Sequence, residues 1–403
     1  MSGGDATGNS PLALGGRTKE SAMQGNSFGH LFRVYAAGES YGEAMMIIVD
    51  GVPPGIPLSE ADIQPDLDRR RPGTSPIDSP RGETDQVKLV AGLRDGCTSG
   101  APVGMLVYNV DRQDIHVEQY RQKKDIMRPG HAEHAFRVKY GEFADWCGAG
   151  RASGRETVCR VAAGALAKKI LATENIEVVG YVKTCAGIGS EPVPFDQIRK
   201  NRDSNLIHCP DLEAAKKMID KILEIKEDGD TVGGVVEFIA RGVPPGLGQP
   251  VFDKLSADIA KGIMSIGAVK GVEIGAGFDG TEMLGSEFND IPYMDGDRLR
   301  LRTNHSGGID GGISNGEDIV VRMAVKPTST ISKPQQTVNL ATRQNAELGS
   351  ITRRDPTICA RIVVVGEAMI ALVLVDHLMM QRGYDAVAPI ENPWRPEIPW
   401  RRE

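Results

Sequence analysis

The sequence Gly-Val-Pro-Pro-Gly occurs twice, at Gly51–Gly55 and at Gly242–Gly246, about 190 residues apart. Each copy follows an apolar run typical of a buried strand, and each precedes a segment with helical periodicity. Because glycine and proline end a strand sharply, both copies predict the same strand–turn–helix unit. A repeat in a shared context points to internal duplication, so we expect two related halves.

Strands and helices alternate along the rest of the chain, although strands also cluster. Apolar residues recur at the spacing of one helix face from Val158 to Ile170, and Ser153 and Glu156 have the spacing of a capping box at the start of that helix. The apolar segment Ile362–Met380 contains two acidic residues and is predicted to be a buried helix, not a membrane anchor. We therefore expect an α/β (α+β) fold with helices packed on sheets.

Charge restricts the partners of this chain. Its 403 residues carry a net charge of −7, which argues against a nucleic-acid-binding face. Arginines nevertheless cluster in loop-like segments, and this combination favours a small anionic substrate. The six cysteines show no zinc-like spacing, so we expect reduced thiols in a cytoplasmic protein and no metal site.

Composition along the chain predicts three regions. Residues 1–24 are rich in glycine and polar residues, without the apolar core of a signal peptide, and are expected to be a disordered tail. Residues 25–385 are expected to form a single large domain with two related halves. Residues 386–403 are rich in proline and tryptophan and are expected to be a C-terminal tail.

Two stretches carry the strongest functional signal. Arg128-Pro-Gly-His131 sets a guanidinium and an imidazole beside a glycine, and Gly148–Thr157 places two more arginines before a helix start. Guanidinium forks, glycine backbone and helix N-termini bind phosphates and carboxylates, and histidine changes its charge near neutral pH. Together these stretches predict a site for a phosphorylated, carboxylated small molecule.

These stretches belong to a longer series that resembles the chorismate synthases. The matching blocks run in order between about residues 25 and 385, at Asp50–Ser59, Asp66–Gly73, Arg128–Ala132, Gly150–Thr157, Met264–Gly275, Gly307–Gly316 and Lys326–Thr330. The resemblance implies a β-α-β sandwich with internal pseudo-symmetry, assembled as a homotetramer. It implies 1,4-elimination of phosphate from 5-enolpyruvylshikimate 3-phosphate to give chorismate, with reduced FMN, no net redox change, and NADPH as a candidate electron source.

The resemblance also implies roles for individual residues. His131 stands where the family has a catalytic proton donor, Asp355 where it has a proton relay, and Tyr41 where it has a second catalytic group. Three arginines stand at positions that meet substrate or NADP: Arg70, Arg71 and Arg128. The implied FMN contacts are Arg151, Ala152, Ser153, Gly267, Ala268, Gly311, Lys326, Pro327, Thr328, Ser329, Thr330 and Arg353.

The chain departs from the family pattern at four positions. Tyr41 and Arg354 each replace a histidine, Pro76 replaces an arginine, and Gly267 replaces an asparagine. A phenol ordinarily titrates near pH 10 and is a poor proton shuttle at neutral pH. Arg354 is expected to hold its neighbour Asp355 in the ionised form.

Two other functions stay open at this point. The departures allow a diverged family member that binds FMN or a phosphorylated ligand with weak or no catalysis. The glycine-rich loops allow an NADPH-dependent flavin oxidoreductase, although Gly148–Gly154 only approximates a dinucleotide fingerprint.

Overall fold

The computed structural model describes residues 25–73, 75–79, 82–111, 113–349 and 354–387. The predicted tail at residues 1–24 lies outside the described residues, and so does Arg353. Most of the predicted C-terminal tail also lies outside them, but the last helix continues to Val387, two residues beyond the predicted end of the domain.

The strands of the described residues are β1 (Ser27–Phe28), β2 (Arg33–Ala37), β3 (Ala44–Asp50), β4 (Val87–Ala91), β5 (Leu93–Arg94), β6 (Cys97–Thr98), β7 (Val103–Tyr108), β8 (Glu177–Cys185), β9 (Ile188–Gly189), β10 (Gly234–Arg241), β11 (Val269–Ile274), β12 (Pro292–Asp295), β13 (Arg298–Leu301), β14 (Ile309–Asp310), β15 (Ile313–Ser314), β16 (Ile319–Val325), β17 (Gln335–Asn339) and β18 (Gln344–Leu348). The α-helices are α1 (Glu60–Arg70), α2 (Asp114–Lys123), α3 (Glu133–Tyr140), α4 (Thr157–Ala172), α5 (Phe195–Asn201), α6 (Leu212–Glu227), α7 (Leu255–Met264), α8 (Gly285–Phe288) and α9 (Cys359–Val387).

Among the described residues, two five-stranded sheets match in four of their five strands, and the fifth differs because β1 precedes its neighbour β2 in sequence whereas β9 follows its neighbour β8. The first has the order β1-β2-β3-β7-β4 and the second β9-β8-β10-β16-β11, with every neighbouring pair antiparallel. In each sheet one edge strand pairs through a register shift, between Leu89 and Ala91 in β4 and between Val269 and Gly271 in β11. The expected internal pseudo-symmetry is therefore present in the order of the four matching strands and in local register.

The repeated turns are held by the same hydrogen bonds. In Gly51–Gly55 the hydroxyl of Thr98 donates to the carbonyl of the first proline at 2.6 Å, and the last glycine N–H donates to the Thr98 carbonyl at 2.8 Å. In Gly242–Gly246 Ser314 makes the same two contacts, at 2.6 and 2.8 Å. Two segments with matched sequence thus have matched structure, which supports the interpretation as a duplication.

In the described ranges, four helices lie between the sheets. Helix α4 packs on β2 and β3, α9 packs on β8 and β10, and the two helices pack on each other, flanked by α1 and α7. Where they cross, a Cβ atom on Gly164 would lie 2.3 Å from the Cβ of Ala368, so the approach requires glycine. The predicted stripe of α4 is buried, and its other faces are also largely buried because neighbouring elements surround it. This arrangement is the expected β-α-β sandwich.

Helix α9 is a core helix. Among the described residues it alone has the length and apolar composition of a membrane span, but 94% of its apolar window is buried within the protein. Burial raises the pKa of Glu367, yet the charges of Arg69, Lys168 and Arg202 outweigh it and hold that pKa well below its usual range. Arg69 and Lys168 lie 2.8 and 2.7 Å from this carboxylate.

Near the other end of α9, the Asp376 carboxylate fastens the start of the first sheet. It accepts the backbone N–H groups of His30, Leu31 and Phe32 at 2.7, 2.7 and 2.9 Å. Because an ionised carboxylate bound to several N–H groups is a strong acceptor, this contact joins the last helix to the segment that leads into β2.

Candidate active site

A cleft of about 1140 Å³ opens where both central helices begin and where β16 ends. Glu156, Thr157 and Arg160 line it from α4 and the residue before it, and Ile358 and Arg361 line it from the start of α9. The positive ends of two helix dipoles therefore face one space. In strand β10, Gly234 pairs with Val325 and therefore lies at the end of the strand beside the cleft. The Gly242–Gly246 turn follows the opposite end of β10, so it lies away from the cleft.

The cleft carries an excess of positive charge. Of the residues that the structure describes, seven with cationic side chains line it, namely Arg70, Lys139, Arg151, Arg160, Lys270, Lys326 and Arg361. Four described acidic side chains oppose them, namely Glu39, Asp145, Glu156 and Asp355. A chain with a net charge of −7 thus concentrates cations in one concave site, which attracts a small anion.

A second cavity of about 590 Å³ adjoins the cleft. The two share the lining residues His131, Ala132, Phe136, Ala144, Asp145, Ala152, Thr330 and Asp355. Tyr41, Tyr120, Trp146 and Arg128 line only the second cavity. His131 and Asp355, two of the three predicted catalytic residues, therefore stand in the wall between the cavities.

Most of the predicted site residues meet in this space. Those that line the cleft are Arg70, His131, Arg151, Ala152, Ser153, Gly267, Ala268, Lys326, Thr328, Ser329, Thr330 and Asp355. Tyr41 and Arg128 line the adjoining cavity, and Pro327 lies in the backbone between Lys326 and Thr328. Arg71 and Gly311 line neither cavity, and Arg353 lies outside the described residues.

The Lys326–Thr330 segment connects several of the sequence motifs. Lys326 Nζ donates to Ser329 Oγ at 2.8 Å, and Ser329 Oγ donates to the carbonyl of Gly130 at 2.7 Å. The Lys326 N–H donates to the Ala268 carbonyl at 3.0 Å. Burial, with a smaller effect of Lys270, lowers the pKa of Lys326. An ammonium group that is partly out of water is well suited to an anionic ligand.

His131 is held by its neighbours but keeps one ring nitrogen available. The backbone N–H of His131 donates to the Arg128 carbonyl at 3.2 Å, and Arg128 Nε donates to the Glu133 carboxylate at 2.6 Å. The buried Nδ1 atom has no hydrogen-bond partner among the described residues. Burial and the charge of Arg128, with a smaller contribution from Lys326, lower the pKa of His131 to about 4, against the opposing effect of Glu133. The imidazole is therefore neutral at pH 7 in the ligand-free protein.

Arg70 forms part of the cleft floor, where protein groups already bind its guanidinium. Arg70 Nη1 lies 2.6 Å from Asp85 Oδ2, and Nε donates to Thr157 Oγ1 at 3.1 Å. Arg155 binds the other oxygen of Asp85. Burial lowers the pKa of Arg70 to about 10, although Asp85 raises it. Arg70 thus fixes the start of α4 from below the cleft.

The two remaining predicted residues lie away from the cleft. Arg71 Nε is 3.6 Å from Asp68 on a half-exposed surface. Gly311 occupies the turn of the β14–β15 hairpin, at the opposite end of β16 from Lys326. A strand of this length separates the two residues by roughly 20 Å.

Arg151 and Ser153 bind protein groups beside the cleft. Arg151 donates to the carbonyl of Gly38 at 3.1 Å and to Asn26 Oδ1 at 2.9 Å, which holds the segment before β3. Ser153 Oγ accepts the Arg155 N–H at 3.3 Å and caps the 3₁₀ turn Gly154–Glu156. The predicted capping box on α4 is wrong, because Glu156 pairs with Arg160 one helical turn later, at 2.9 Å.

Tyr41 is fixed in the adjoining cavity by packing. Its ring lies 5.4 Å from that of Tyr120 in an edge-to-face arrangement. A Cβ atom on Gly148 would lie 2.5 Å from the Tyr41 ring, and Gly148 has a φ of +59°. Glycine is thus required there both for its backbone and for the space that the ring fills.

Asp355 is bound by Arg361, which the sequence motifs did not single out. Asp355 Oδ1 accepts the Ser79 N–H at 3.1 Å and is also bound by Arg361 Nη2. Arg361 Nε lies 3.5 Å from Asp78 in the same loop. Arg354, the neighbour expected to act on Asp355, instead donates to Ser332 Oγ through Nη1 and to the Lys226 carbonyl through Nη2. The signal for Arg361 was weak, because it is one arginine within the apolar run of α9.

Within the described part of the chain, one group of potential metal ligands occurs outside the two cavities. His30, Asp253 and Asp258 place their ligand atoms within 4.8 Å of one another. Two of the three residues are exposed, none lines either cavity, and we assign no metal to them.

Known proteins share both the sequence and the fold. A family model described as chorismate synthase matches residues 32–379. The chain is 51% identical over 389 residues to a chorismate synthase of Acetivibrio thermocellus, covering 92% of this chain and 99% of that protein. It is 49% identical over 362 residues to one of Methanosarcina acetivorans, covering 90% and 98%. A crystal structure of a chorismate synthase superposes with a TM-score of 0.69 at 30% identity, covering 88% of this chain and 94% of the other.

Proposed function

The chain belongs to the chorismate synthase family, and we propose that its two adjoining cavities hold reduced FMN and 5-enolpyruvylshikimate 3-phosphate side by side. The chain is accordingly a lyase that eliminates phosphate. The observation that carries the proposal is the position of His131 and Asp355 in the wall that both cavities share. Groups placed there reach a substrate on one side and a cofactor on the other.

The residues of the cleft fit an anionic flavin nucleotide. Lys326, Lys270 and Arg160 supply charge for a phosphate, and the N-termini of α4 and α9 add to it. A Cβ on Gly267 would meet no atom within 4 Å, so a planar ring can approach this backbone closely. His131 Nδ1 is a buried polar atom without a partner among the described residues, which is what a ligand group would complete.

We assign the cofactor contacts to the wider cleft. The contacting residues are Arg151, Ala152, Ser153, Gly267, Ala268 and Lys326–Thr330. Reduced FMN, when bound, supplies electron density to the reacting allylic system. The chain itself orients the two ligands, excludes water from them and places protons.

We assign the substrate to the side of Tyr41 and Arg128. Arg128 offers its guanidinium to the substrate anions, and the Tyr41 hydroxyl donates a hydrogen bond. His131 is neutral before the ligand binds, and a phosphate group beside it raises its pKa again because opposite charge favours the imidazolium. His131 then holds a proton at the ring nitrogen that faces the leaving phosphate.

Asp355 receives a proton on the side of the shared wall that faces the cofactor cleft. Ser79 and Arg361 bind Oδ1, and no group of the described residues hydrogen-bonds Oδ2. Oδ2 is therefore the oxygen available to accept the proton that leaves the reacting pair.

We further propose that the chain acts in the cytoplasm as a homotetramer, with NADPH as the electron source for FMN. Support for assembly comes from the outer face of the first sheet, where Tyr35, Met46, Ile48 and Tyr108 are between 41% and 49% exposed. Gly311, roughly 20 Å from Lys326, would reach a flavin only in a second copy of the chain. Light scattering of wild-type and Ile48→Glu protein tests the assembly, and a monomeric wild-type protein would exclude it.

The function is tested by an anaerobic assay with chemically reduced FMN and the enolpyruvyl substrate. We expect phosphate and chorismate in equal amounts, and a decrease in kcat of about 10²-fold or more for His131→Ala, which removes a general acid. Flavin binding without product would indicate a binding protein. NADPH oxidation without substrate would indicate an oxidoreductase. A loss of less than about tenfold would remove His131 from the mechanism.

A further inference from the structure

The C-terminal end of α6 binds two segments that lead into the cleft wall. Lys226 Nζ donates to the carbonyl of Pro76 at 2.6 Å. The Lys226 carbonyl accepts from Arg354 Nη2, and Arg354 Nη1 donates to Ser332 Oγ. We call these four residues, Pro76, Lys226, Ser332 and Arg354, the α6 brace. None of them lines either cavity.

The brace contacts are favourable for this helix end. The Lys226 carbonyl already accepts the Gly229 N–H at 3.1 Å, so the Arg354 guanidinium binds a second lone pair of this oxygen and complements the negative end of the helix dipole. Hydrogen bonds from a charged donor are stronger than neutral ones. The Lys333 ammonium adds to the attachment, since it lies 2.5 Å from Asp228 and 3.0 Å from Asp230 in the turn after α6.

The brace joins two positions at which the chain departs from its family pattern. Pro76 stands in place of an arginine and Arg354 in place of a histidine, and both bind Lys226. If Arg354 substituted for the imidazole in the cleft, its guanidinium would face that cleft. Its two Nη atoms instead donate to Ser332 Oγ and to the Lys226 carbonyl.

Both ends of the brace are close to one contact in the cleft wall. Arg354 precedes Asp355 in sequence, and Ser79, three residues after Pro76, donates its N–H to Asp355 Oδ1 at 3.1 Å. Thr328 Oγ1 holds the Asp355 carbonyl at 2.8 Å. We propose that Arg354 and Lys226 are positioning residues that keep Ser79 and Asp355 together, so that the Asp355 carboxylate stays oriented in the cleft. This inference rests on the proton role proposed for Asp355.

The test uses the full chain with reduced FMN and compares Arg354→Met, Lys226→Met and the double variant. Lys221→Met is the control, because Lys221 lies on the same helix and pairs only locally, 2.8 Å from Glu224. We expect kcat to fall about fivefold or more in each brace variant because the carboxylate is misplaced, with KM within about twofold. The kcat of the double variant should be only slightly below that of the more impaired single variant, since both substitutions act through one structure. Arg354→Lys, which keeps a positively charged donor group, should recover part of the kcat that Arg354→Met loses.

Two further measurements separate positioning from other roles. Amide exchange at Ser79 should be faster in both brace variants than in the Lys221→Met control, because the Ser79–Asp355 contact loosens. In an Asp355→Asn background, Arg354→Met should leave kcat unchanged. If Asp355→Asn alone keeps full activity, the proposed role of Asp355 fails, whereas the exchange result still tests the brace.

Three outcomes would overturn the proposal. The first is an Arg354→His variant with kcat equal to or above wild type. The second is additive losses in the double variant, and the third is unchanged amide exchange at Ser79. If Arg354→Met does not fold, Lys226→Met still decides the question, since Lys226 is a half-buried residue at a helix end.

Discussion

Replacing His131 by glutamine should make the ligand-free protein more resistant to acid. Burial and the charges of Arg128 and Lys326 lower the pKa of His131 to about 4 in the folded protein, although Glu133 raises it. In an unfolded chain a histidine titrates near 6.5. As the pH falls, the unfolded state therefore binds this proton before the folded state does. His131 thus destabilises the fold progressively below about pH 6.5, and glutamine removes that penalty.

The size of the effect follows from the two pKa values. Between the unfolded value of about 6.5 and the folded value of about 4, the free energy of unfolding loses about 1.4 kcal/mol per pH unit through this one group. The difference is close to zero at about pH 8 and about 2 kcal/mol at about pH 5. The glutamine variant should therefore gain about 2 kcal/mol on wild type between these two conditions.

Urea unfolding of wild type and His131→Gln, at about pH 8 and about pH 5, measures this difference. The control is His134→Gln, because His134 is exposed on α3 and lines neither cavity, so it gives the baseline for losing one histidine nearby. If the advantage of His131→Gln changes by less than about 0.5 kcal/mol between the two pH values, the imidazole is not held neutral and the electrostatic description of the cleft is wrong.

Three other predictions address the core and the cleft. Glu367→Gln leaves three cations around a site without charge and should lower the free energy of unfolding by about 3–5 kcal/mol, with the exposed Glu224→Gln as control. Gly164→Ala should cost at least about 1–3 kcal/mol in urea unfolding, because its Cβ would lie 2.3 Å from that of Ala368; partial recovery by Ala368→Gly would confirm the clash, and no loss would refute it. Lys326→Met should weaken FMN binding about tenfold in a fluorescence titration and reduce its salt dependence, whereas Lys333→Met, which pairs outside the cleft, should not.

The sequence predicted those elements whose structure depends only on residues that are close together in the chain. The Gly51–Gly55 and Gly242–Gly246 turns were recognisable because glycine and proline restrict the backbone wherever they occur. The stripe from Val158 to Ile170 predicted α4 because helical periodicity is a property of the segment itself. Neither signal says that both central helices begin at one cleft, which depends on how the two halves pack.

Partners that are distant in sequence could not be predicted in this way. Arg70 was expected to face a ligand, but Asp85 binds its guanidinium, and that ion pair exists only after the loop before β4 has folded over α1. Arg354 is adjacent to Asp355 in sequence, yet Arg361 binds the carboxylate because α9 turns its side chain back toward Asp355. Adjacency along a chain does not specify which side chains share a face.

The close crossing of α4 and α9 has a consequence for synthesis on the ribosome. Helix α4 is complete at residue 172, but the helix that covers its far side begins only at Cys359, about 190 residues later. At roughly 5–20 residues per second, the emerging polypeptide carries an apolar helix without its cover for roughly 10–40 s. The backbone N–H groups of His30, Leu31 and Phe32 are without their Asp376 acceptor for longer still, because Asp376 is synthesised about 345 residues later. Until α9 has emerged, α4 presents apolar surface of the kind that makes an incompletely folded chain prone to aggregation.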